Sequence, residues 1–344
     1  MIEKLNIRQY SEWQEESNLS SWAAKSRHSK GRERPESPCP IRTEFQRDRD
    51  RIIHCNSFRR LKHKTQVFVA PSGDHYVTRL THTLEVSQIA RTVAVALGLN
   101  EYLTEGIALG HDLGHTPFGH IGESVINDLY TGGFQHNEQS LRVVEKLENN
   151  GWGLNLTWEV RDGIVNHSKG RGDITSDAHT AGTLEADVCR IADAIAYISH
   201  DIGDALRSGL IALSDLPAPA VAVLGDTNSQ RINTMVSDVI TQSWEVKNFN
   251  RKDRPAIMMS PKVQEAAEIM RKFLFLNVYD IHSSAPDAER ARMTVRRLYN
   301  HFADNPSNIP LEYNLHASGA EQCAVDYIAG MSDYFAMNLA EKLG

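Results

Sequence analysis

The segment HDLGHTPFGH (111–120) holds three histidines and one aspartate within ten residues, in a run broken by two glycines and a proline. Imidazole and carboxylate groups are ligands for transition metals, and imidazole also exchanges protons near neutral pH. The consecutive His111 and Asp112 follow a short predicted helix, and both side chains can converge on one ion beyond the end of that helix. A single His-Asp pair often arises by chance, so a metal site requires further ligands elsewhere in the chain.

Two other segments offer such ligands. The segment TRLTHTLEV places His82 in the first turn of a predicted amphipathic helix over 82–97, where an isolated histidine more often caps the helix. A second predicted helix over 184–207 carries Asp193, Tyr197 and Asp201 at intervals of four residues, so they share one face. That face is either a solvated acidic surface or a cation-binding surface, and the tyrosine within it favours the second interpretation.

Together His82, His111, Asp112 and Asp193 would form a mixed nitrogen and oxygen ligand set. Such a set suits Mn²⁺, Fe²⁺, Co²⁺, Ni²⁺ or Zn²⁺ better than Mg²⁺, which prefers oxygen ligands. Four protein ligands leave two positions of an octahedral ion open for water and a substrate oxygen. The pattern therefore predicts hydrolysis, because an ion in this site can polarise a phosphoryl oxygen or acidify a bound water.

The elements that must position these residues are mainly helical. Apolar residues recur at helical spacing in most of the chain, and alternation typical of strands is best seen in TQVFVA (65–70), which predicts a short β-hairpin with the residues after Gly73. PAPAV (217–221) and NRKDRPAIMMSP (250–261) are interpreted as connections. The predicted helices are 82–97, 105–109, 138–148, 156–166, 184–207, 230–246, 263–277, 285–303 and 319–342.

Composition is that of a globular protein, with 344 residues, 41% hydrophobic and 24% charged, which allows one large domain or two closely packed ones. The four cysteines form no CxxC pair, and this argues against zinc knuckles and a disulfide framework. The first residues are polar, and no apolar run approaches the roughly 20 residues of a membrane span. We therefore expect a cytoplasmic protein that does not enter a membrane.

Charge is unevenly distributed. Residues 25–64 contain thirteen Lys or Arg and five Asp or Glu, a local charge of +8 in a chain whose net charge is −7. A basic segment on an acidic protein indicates either an anionic partner or an arm whose charges pair with the rest of the chain. Only two aromatic residues, Phe45 and Phe58, lie in this segment, so it offers a poor stacking surface for single-stranded nucleic acid, and we expect such binding to be weak at most.

The order H…HD…D, formed by His82, His111–Asp112 and Asp193, resembles the signature of the HD superfamily of metal-dependent phosphohydrolases. The segments RTEFQRDRDRIIHCNSFRRLKHKTQVF, HDLGHTPFGHIGE, QHNEQS and ADAIAYISHDIGDAL are similar to the deoxyguanosinetriphosphate triphosphohydrolase (dGTPase) family from about residue 26 to 210. The resemblance implies an all-α HD-domain fold, a divalent cation (Mn²⁺ first, then Mg²⁺, Co²⁺, Fe²⁺, Ni²⁺ or Zn²⁺) and cleavage of a dNTP into deoxynucleoside and triphosphate. It implies a basic arm over 1–50, a phosphohydrolase core over 51–210 and a C-terminal helical region over 211–344 packed on that core.

The resemblance also assigns roles to individual residues. His120 matches the family's proton donor, Glu123 would orient it, and His136 would contact the α-phosphate or assist the proton transfer. The remaining matches are predicted to contact the substrate and are Gln66, Val67, Arg79, His115, Asn137, Tyr197 and Asp201.

Partners implied by the resemblance are the dNTP substrate, a second dNTP as activator and further copies of the chain in a homo-oligomer. A cationic group made of Arg59, Arg60, Lys62 and Lys64 could bind the activator or single-stranded nucleic acid. Two other functions stay open: a phosphodiesterase or 5′-nucleotidase of the HD type, and a nucleotide- or nucleic-acid-binding module without catalysis. The histidines of the opening segment favour an enzyme, since binding alone requires no proton donor.

Overall fold

The computed structural model describes residues 7–68, 76–168, 181–248, 252–316 and 319–343. Within these ranges the protein is helical and contains no β-strand, which confirms the predicted all-α fold class. The predicted hairpin falls partly on residues 69–75, outside the described residues; beside them a single antiparallel bridge joins Thr65 to Thr78. None of the helices described is both long enough and apolar enough to cross a bilayer.

The helices of five or more residues are numbered in chain order. They are α1 (Ile7–Asn18), α2 (Glu44–His54), α3 (Asn56–Arg60), α4 (Arg79–Leu97), α5 (Glu101–Gly110), α6 (His120–Leu129), α7 (His136–Arg142), α8 (Trp158–Asn166), α9 (Leu184–Arg207), α10 (Ala218–Leu224), α11 (Asn228–Gln242), α12 (Pro261–Leu274), α13 (Pro286–Asp304), α14 (Ala320–Ala329) and α15 (Asp333–Lys342). Single α-turns occur at Glu148–Gly151, Asp280–Ser283 and Leu311–Asn314. The 3₁₀ turns are Ser26–His28, Leu61–His63, Leu213–Asp215, Trp244–Lys247 and Pro306–Asn308, and π-turns span Val143–Leu147 and Phe275–Tyr279.

The chain forms two compact units, each assembled from three separate segments. The first unit comprises Met1–Ile52, Leu84–Leu109 and Leu156–Val278, and the second comprises Ile53–Thr83, Gly110–Asn155 and Tyr279–Gly344. These units interleave along the chain, whereas the predicted division at residues 50 and 210 is linear and stays a prediction.

The first unit is built around α9. This helix buries an apolar stripe that includes Ile191, Ile195, Ile198 and Ile202, and it packs against α8, α11 and α12. Its first turn carries the buried Glu185, whose carboxylate accepts hydrogen bonds from the backbone N–H groups of residues 24 and 100 at 3.0 and 2.9 Å. Buried carboxylates therefore join the N-terminal segment to the body of this unit.

The basic N-terminal segment is largely ion-paired inside the first unit. Arg32 is bound to Glu44 at 2.6 Å and also to the fully buried Asp48, whose other oxygen accepts from the backbone and hydroxyl of Thr157. Arg47 contacts Glu36 at 2.6 Å, and Arg42 contacts Asp50 at 2.7 Å. These pairs lie within residues 25–64 and leave the local excess of +8 unchanged. Lys25 also pairs with Glu16 at 3.1 Å and Arg49 with Glu105 at 3.3 Å, so a small part of the excess is balanced by the rest of the unit, in line with the second of the two interpretations.

The second unit is built around α13, which packs against α6, α14 and α15. Val295, Leu298 and Phe302 of α13 meet Ile126 of α6 and Ile328 of α14 in one buried cluster. This unit also contains the segment 110–120 together with α7.

Two element predictions are wrong. The predicted helix 319–342 is broken after α14 by residues 330–332, because the Ser332 side chain accepts a hydrogen bond from Phe335 N and so begins a new helix. Residues 217–221, interpreted as a connection, enter α10 at Ala218; Pro219 lies in its first turn, where a missing N–H breaks no helical hydrogen bond.

Candidate active site

The segment between α5 and α6 is a buried loop rather than a surface turn. All residues from 111 to 119 are buried, whereas His120, the first residue of α6, has a side chain that is 76% exposed. Short hydrogen-bonded turns shape the loop: His115 N donates to Asp112 O at 3.2 Å, and Gly119 N donates to Thr116 O at 3.3 Å. The loop thus carries its polar side chains inward and ends on an accessible histidine.

Gly114 allows this loop to lie directly against α7. A Cβ atom at this position would meet Ser140 N at 2.2 Å, so only glycine permits the approach. The Ser140 hydroxyl accepts from Gly114 N at 2.8 Å and donates to His111 O at 2.7 Å. Ser140 was not predicted as a site residue, although it belongs to the QHNEQS segment on which the family resemblance rests.

The last turn of the loop is strained. Phe118 and Gly119 have φ angles of 62° and 57°, in the left-handed region that is unusual for a bulky residue. A Cβ atom at position 119 would meet the Arg79 guanidinium at 2.7 Å, which explains the glycine there. The backbone therefore reverses between the buried loop and the exposed start of α6.

Four cationic or potentially cationic groups surround the Asp112 carboxylate. Arg79 Nη1 lies 2.8 Å from Oδ2, and the Nε2 atoms of His115, His111 and His82 lie 3.2, 3.4 and 3.8 Å from its oxygens. Burial by itself would raise the pKa of Asp112, but His111, His115 and Arg79 outweigh burial and hold the pKa well below its usual range. Asp112 is therefore an anion throughout the neutral range.

The distances around Asp112 fit a shared divalent cation. Two donors that are each about 2.1 Å from one ion lie roughly 3 to 3.5 Å apart. His111 Nε2 lies 3.4 Å from Oδ1 of Asp112, within that range, and His82 Nε2 lies 3.8 Å from the other oxygen, Oδ2. All three side chains are buried, and both imidazoles direct Nε2 toward Asp112. The donor set present in the second unit thus suits a transition metal.

Glu123 joins two histidines on the other side of His115. One carboxylate oxygen lies 2.8 Å from Nδ1 of His120, and the other lies 2.9 Å from both Nδ1 and the backbone N of His136. Burial by itself would raise the pKa of Glu123, whereas these two histidines lower it far below its usual range. Because the ionised carboxylate can only accept, Nδ1 of each ring must carry the hydrogen that it donates to Glu123. Nε2 of each ring is then the atom available for proton transfer or substrate contact.

The pKa values of His115 and His136 are shifted in opposite directions although their rings stack with centroids 4.0 Å apart. Burial, followed by the charges of Arg79 and His136, holds the pKa of His115 well below its ordinary value. Burial also lowers the pKa of His136, but the hydrogen bond and charge of Glu123 outweigh it and raise the pKa above its ordinary value. The site therefore contains a neutral imidazole beside one that protonates readily.

The remaining predicted residues are divided between the units. In the second unit, the carbonyl of Gln66 accepts from Arg79 Nη2 at 3.4 Å, Val67 is half-buried, and Asn137 is buried in the first turn of α7. In the first unit, Asp193, Tyr197 and Asp201 follow one another along α9. Their roles as metal ligand and substrate contacts stay predictions.

Two charged residues have positions that the sequence did not indicate. Lys64, predicted to be part of a cationic surface, is instead buried, and its ammonium group donates to the carbonyls of His115 and Ala329. Burial lowers the pKa of Lys64 to about 7, while the charge of Asp333 acts in the opposite direction. Asp333 accepts hydrogen bonds from Thr65 N and Phe118 N at 2.8 and 2.9 Å.

Comparison with known families first defines the class. Residues 79–198 match the HD domain, and residues 257–342 match the phosphohydrolase-associated domain. The chain is thus a hydrolase with an HD phosphohydrolase domain, and the HD match includes His82, His111, Asp112 and Asp193.

Relatives over nearly the full length then give the family. Proteins named deoxyguanosinetriphosphate triphosphohydrolase-like from Caldanaerobacter subterraneus, Desulfatibacillum aliphaticivorans and Clostridium perfringens are 54%, 48% and 47% identical to this chain. The alignments cover 97%, 98% and 98% of this chain and 94%, 98% and 98% of the relatives. The chain belongs to this deoxyguanosinetriphosphate triphosphohydrolase-like family. A crystal structure of a hypothetical protein from Aquifex aeolicus, with 18% identity over 85% of this chain and 67% of its own, superposes with a TM-score of only 0.48.

Proposed function

We propose that this protein is a metal-dependent dNTP triphosphohydrolase, which adds water at the α-phosphorus and releases deoxynucleoside and inorganic triphosphate. The observation that carries the proposal is the pair of histidines held by Glu123 next to the buried Asp112 cluster. A metal centre and a proton donor side by side suit displacement at phosphorus, in which one oxygen enters as another leaves. The names of the full-length relatives support the dNTP as substrate.

In the proposed mechanism His82, His111 and Asp112 hold the cation, with Asp193 as the fourth ligand. When bound, the cation supplies Lewis acidity to a phosphoryl oxygen and lowers the pKa of a coordinated water. Arg79 stays bound to Asp112 and keeps this carboxylate oriented. We take Mn²⁺ as the first candidate, because the donor set mixes imidazole nitrogen with carboxylate oxygen.

His120 is the proposed general acid. Its Nδ1 is held by Glu123, so its Nε2 can deliver a proton to the 5′-oxygen of the leaving deoxynucleoside. Its exposed side chain lets it reach a bound nucleotide from the start of α6. His136, whose pKa is raised by Glu123, presents positive charge to the α-phosphate, and the neutral His115 lines the site between the two groups.

Product analysis tests this proposal directly. The purified protein is incubated with each of the four dNTPs, alone and in mixtures, in the presence of Mn²⁺, and the products are separated by ion-exchange chromatography. Triphosphate and deoxynucleoside are expected in equal amounts, whereas ATP and GTP should be poor substrates. Pyrophosphate with dNMP would reject the reaction type, and turnover of dNMPs or cyclic dinucleotides instead would favour a nucleotidase or phosphodiesterase.

The same experiment tests activation and base preference. A dNTP that is cleaved only in the presence of a second one would support an activating nucleotide. His120→Ala should lose turnover but retain Mn²⁺ and dNTP binding, since the residue is not a proposed ligand of either metal or triphosphate. Activity that survives this substitution would rule out His120 as the acid.

A further inference from the structure

Asp333 connects the phosphohydrolase-associated region to the loop that precedes His120. It lies in the first turn of α15, and each of its carboxylate oxygens accepts one backbone N–H. Oδ2 binds Thr65 N at 2.8 Å, and Oδ1 binds Phe118 N at 2.9 Å. The two amides belong to segments that run beside the candidate site, one next to Gln66 and the other two residues before His120.

Phe118 is the point at which such support matters most. A non-glycine residue with φ near 60° is strained and persists only where the surroundings hold it. Its ring is 2% exposed and packs in the same apolar cluster as Val295 and Ala336. Its amide donates to a carboxylate, which makes a stronger hydrogen bond than a neutral acceptor. The strained turn is therefore held by its ring on one side and by Asp333 on the other.

Lys64 provides a second connection between the same parts of the second unit. Its ammonium group joins the carbonyl of His115, in the loop, to the carbonyl of Ala329, at the end of α14. Two side chains therefore connect the turn between α14 and α15 (residues 329–333) with the loop. Lys64 joins residue 329 to residue 115, and Asp333 binds residue 118.

The loop in turn determines where α6 begins. Glu123 N donates to Gly119 O at 3.1 Å, and Ile121 N donates to Phe118 O at 3.2 Å, so the first turn of α6 is hydrogen-bonded to the strained residues. A change in the peptide orientation at Phe118 rotates that turn. It would move His120 relative to the substrate.

We propose that Asp333 is a positioning residue for catalysis, which fixes the Phe118–Gly119 turn and thereby the reach of His120. The inference rests on the proposed role of His120 as general acid. In this proposal α15, which belongs to the phosphohydrolase-associated region, supplies the carboxylate that holds the catalytic loop in position.

The test compares Asp333→Asn with two control variants. Asparagine keeps the size of the side chain but replaces one acceptor oxygen by a donor, so one of the two amides loses its partner. We expect kcat to fall about 10- to 100-fold, the range for a misplaced catalytic group, while KM changes less than about 3-fold. Asp333→Glu, which restores both acceptors on a longer side chain, should recover part of kcat.

Ser332→Ala is the matched control. It removes the cap of the same helix, because the Ser332 hydroxyl accepts from Phe335 N, without touching the loop. It should lower the melting temperature at least as much as Asp333→Asn and leave kcat within about 2-fold at an assay temperature well below melting. An equal loss of kcat in Ser332→Ala would mean that α15 acts only through general stability, and an unchanged kcat in Asp333→Asn would overturn the proposal.

Amide hydrogen exchange tests the positioning role of Asp333 independently of the proposed reaction. In the substrate-free protein, Asp333→Asn should accelerate exchange at Thr65 or Phe118 by at least about 10-fold and leave Gly114, whose amide binds Ser140, unchanged. If the wild type released no triphosphate from any dNTP, the proposed function would fail, and this exchange result would still decide whether Asp333 holds the loop. Unaltered exchange at both amides would reject the positioning role whatever the activity.

Discussion

Glu123 is the residue on which the proposed acid chemistry depends most. It is ionised, it contacts Nδ1 of both His120 and His136, and it also binds the backbone N of His136. One carboxylate thereby sets the orientation of two rings with different exposure. The sharing makes the two histidines dependent on each other, because any change at Glu123 affects both.

Glu123→Gln should lower kcat by about 100-fold or more, in line with the usual contribution of a general acid. The amide retains one acceptor oxygen, so only one of the two histidines keeps its partner, and the raised pKa of His136 is lost with the charge. Steady-state kinetics and Mn²⁺ binding by calorimetry are the measurements. Glu138→Gln, which changes an exposed acid two residues after His136 in the first turn of α7, serves as the control. Equal activity in the two variants would disprove the role of Glu123.

The buried Asp112 cluster predicts that metal binding stabilises the folded protein. Mn²⁺ at 100 times its Kd should add about 2.7 kcal/mol to the free energy of unfolding, seen as an upward shift of the melting temperature. His111→Ala should abolish most of that shift, because the substitution removes a proposed ligand. The exposed His28, which pairs with Glu16, offers the control substitution His28→Ala. A shift of the same size in both variants would place the metal elsewhere.

At the scale of single residues, the sequence indicates which residues form the candidate site, but it does not indicate which distant residues contact them. His111, Asp112, His115 and His120 lie in one short segment, and their chemistry can be inferred from spacing. Lys64, in contrast, contacts Ala329, which lies 265 positions later in the chain, and Asp333 contacts Thr65, which lies 268 positions earlier. The roles of Lys64 and Asp333 depend on these contacts. A lysine among other basic residues has no local feature that marks it as buried.

Helix periodicity predicts most elements correctly. The longest, α9, occupies residues 184–207 as expected, and α4 begins three residues earlier than predicted, at Arg79. Apolar spacing cannot distinguish one helix from two that share a periodic pattern, and this is why the break between α14 and α15 was missed. The helices α1, α2, α3 and α6 are absent from the predicted set, and in α1 and α2 the many charged residues hide the apolar stripe.

The close approach of the loop to α7 at Gly114 predicts a large loss of stability on substitution. Gly114→Ala should lower the free energy of unfolding by about 3 kcal/mol or more, because the added methyl group would overlap backbone atoms of α7, which cannot move aside as a side chain can. Gly106→Ala in α5 is the comparison: its methyl group would lie 3.7 Å from Val160, an ordinary contact, and alanine favours helix. That variant should be neutral or stabilised by up to about 1 kcal/mol in urea unfolding. A mild effect at position 114 would contradict the close approach.

At the scale of the whole molecule, buried carboxylates make stability depend on pH. Glu185 is fully buried, and burial raises its pKa to about 7 against an ordinary value of 4.5, although backbone hydrogen bonds act in the opposite direction. Between these two values the unfolded chain has released the proton while the folded chain retains it. Stability therefore falls as pH rises from about 4.5 to about 7, because the folded state binds more protons in that interval.

Glu185→Gln should remove this component of the pH dependence. The full component is roughly 3 kcal/mol, and the variant should gain stability relative to the wild type as pH increases through that interval. Urea unfolding at several pH values between 4.5 and 8 measures the difference. Glu101→Gln, at a partly exposed acid paired with Arg91, is the control and should leave the slope unchanged. Parallel curves for wild type and Glu185→Gln would contradict the raised pKa.

The contacts of Asp333 and Lys64 also have a consequence for the order of events during synthesis. The ribosome synthesises residues 64 and 118 more than 200 residues before it reaches α14 and α15. Until then the turn at Phe118 has neither the carboxylate nor the apolar cluster that stabilises it. The HD segment would therefore be synthesised early but reach its working geometry late, and premature termination between Asp193 and Asp333 would yield a chain that contains the proposed metal ligands without a correctly positioned acid.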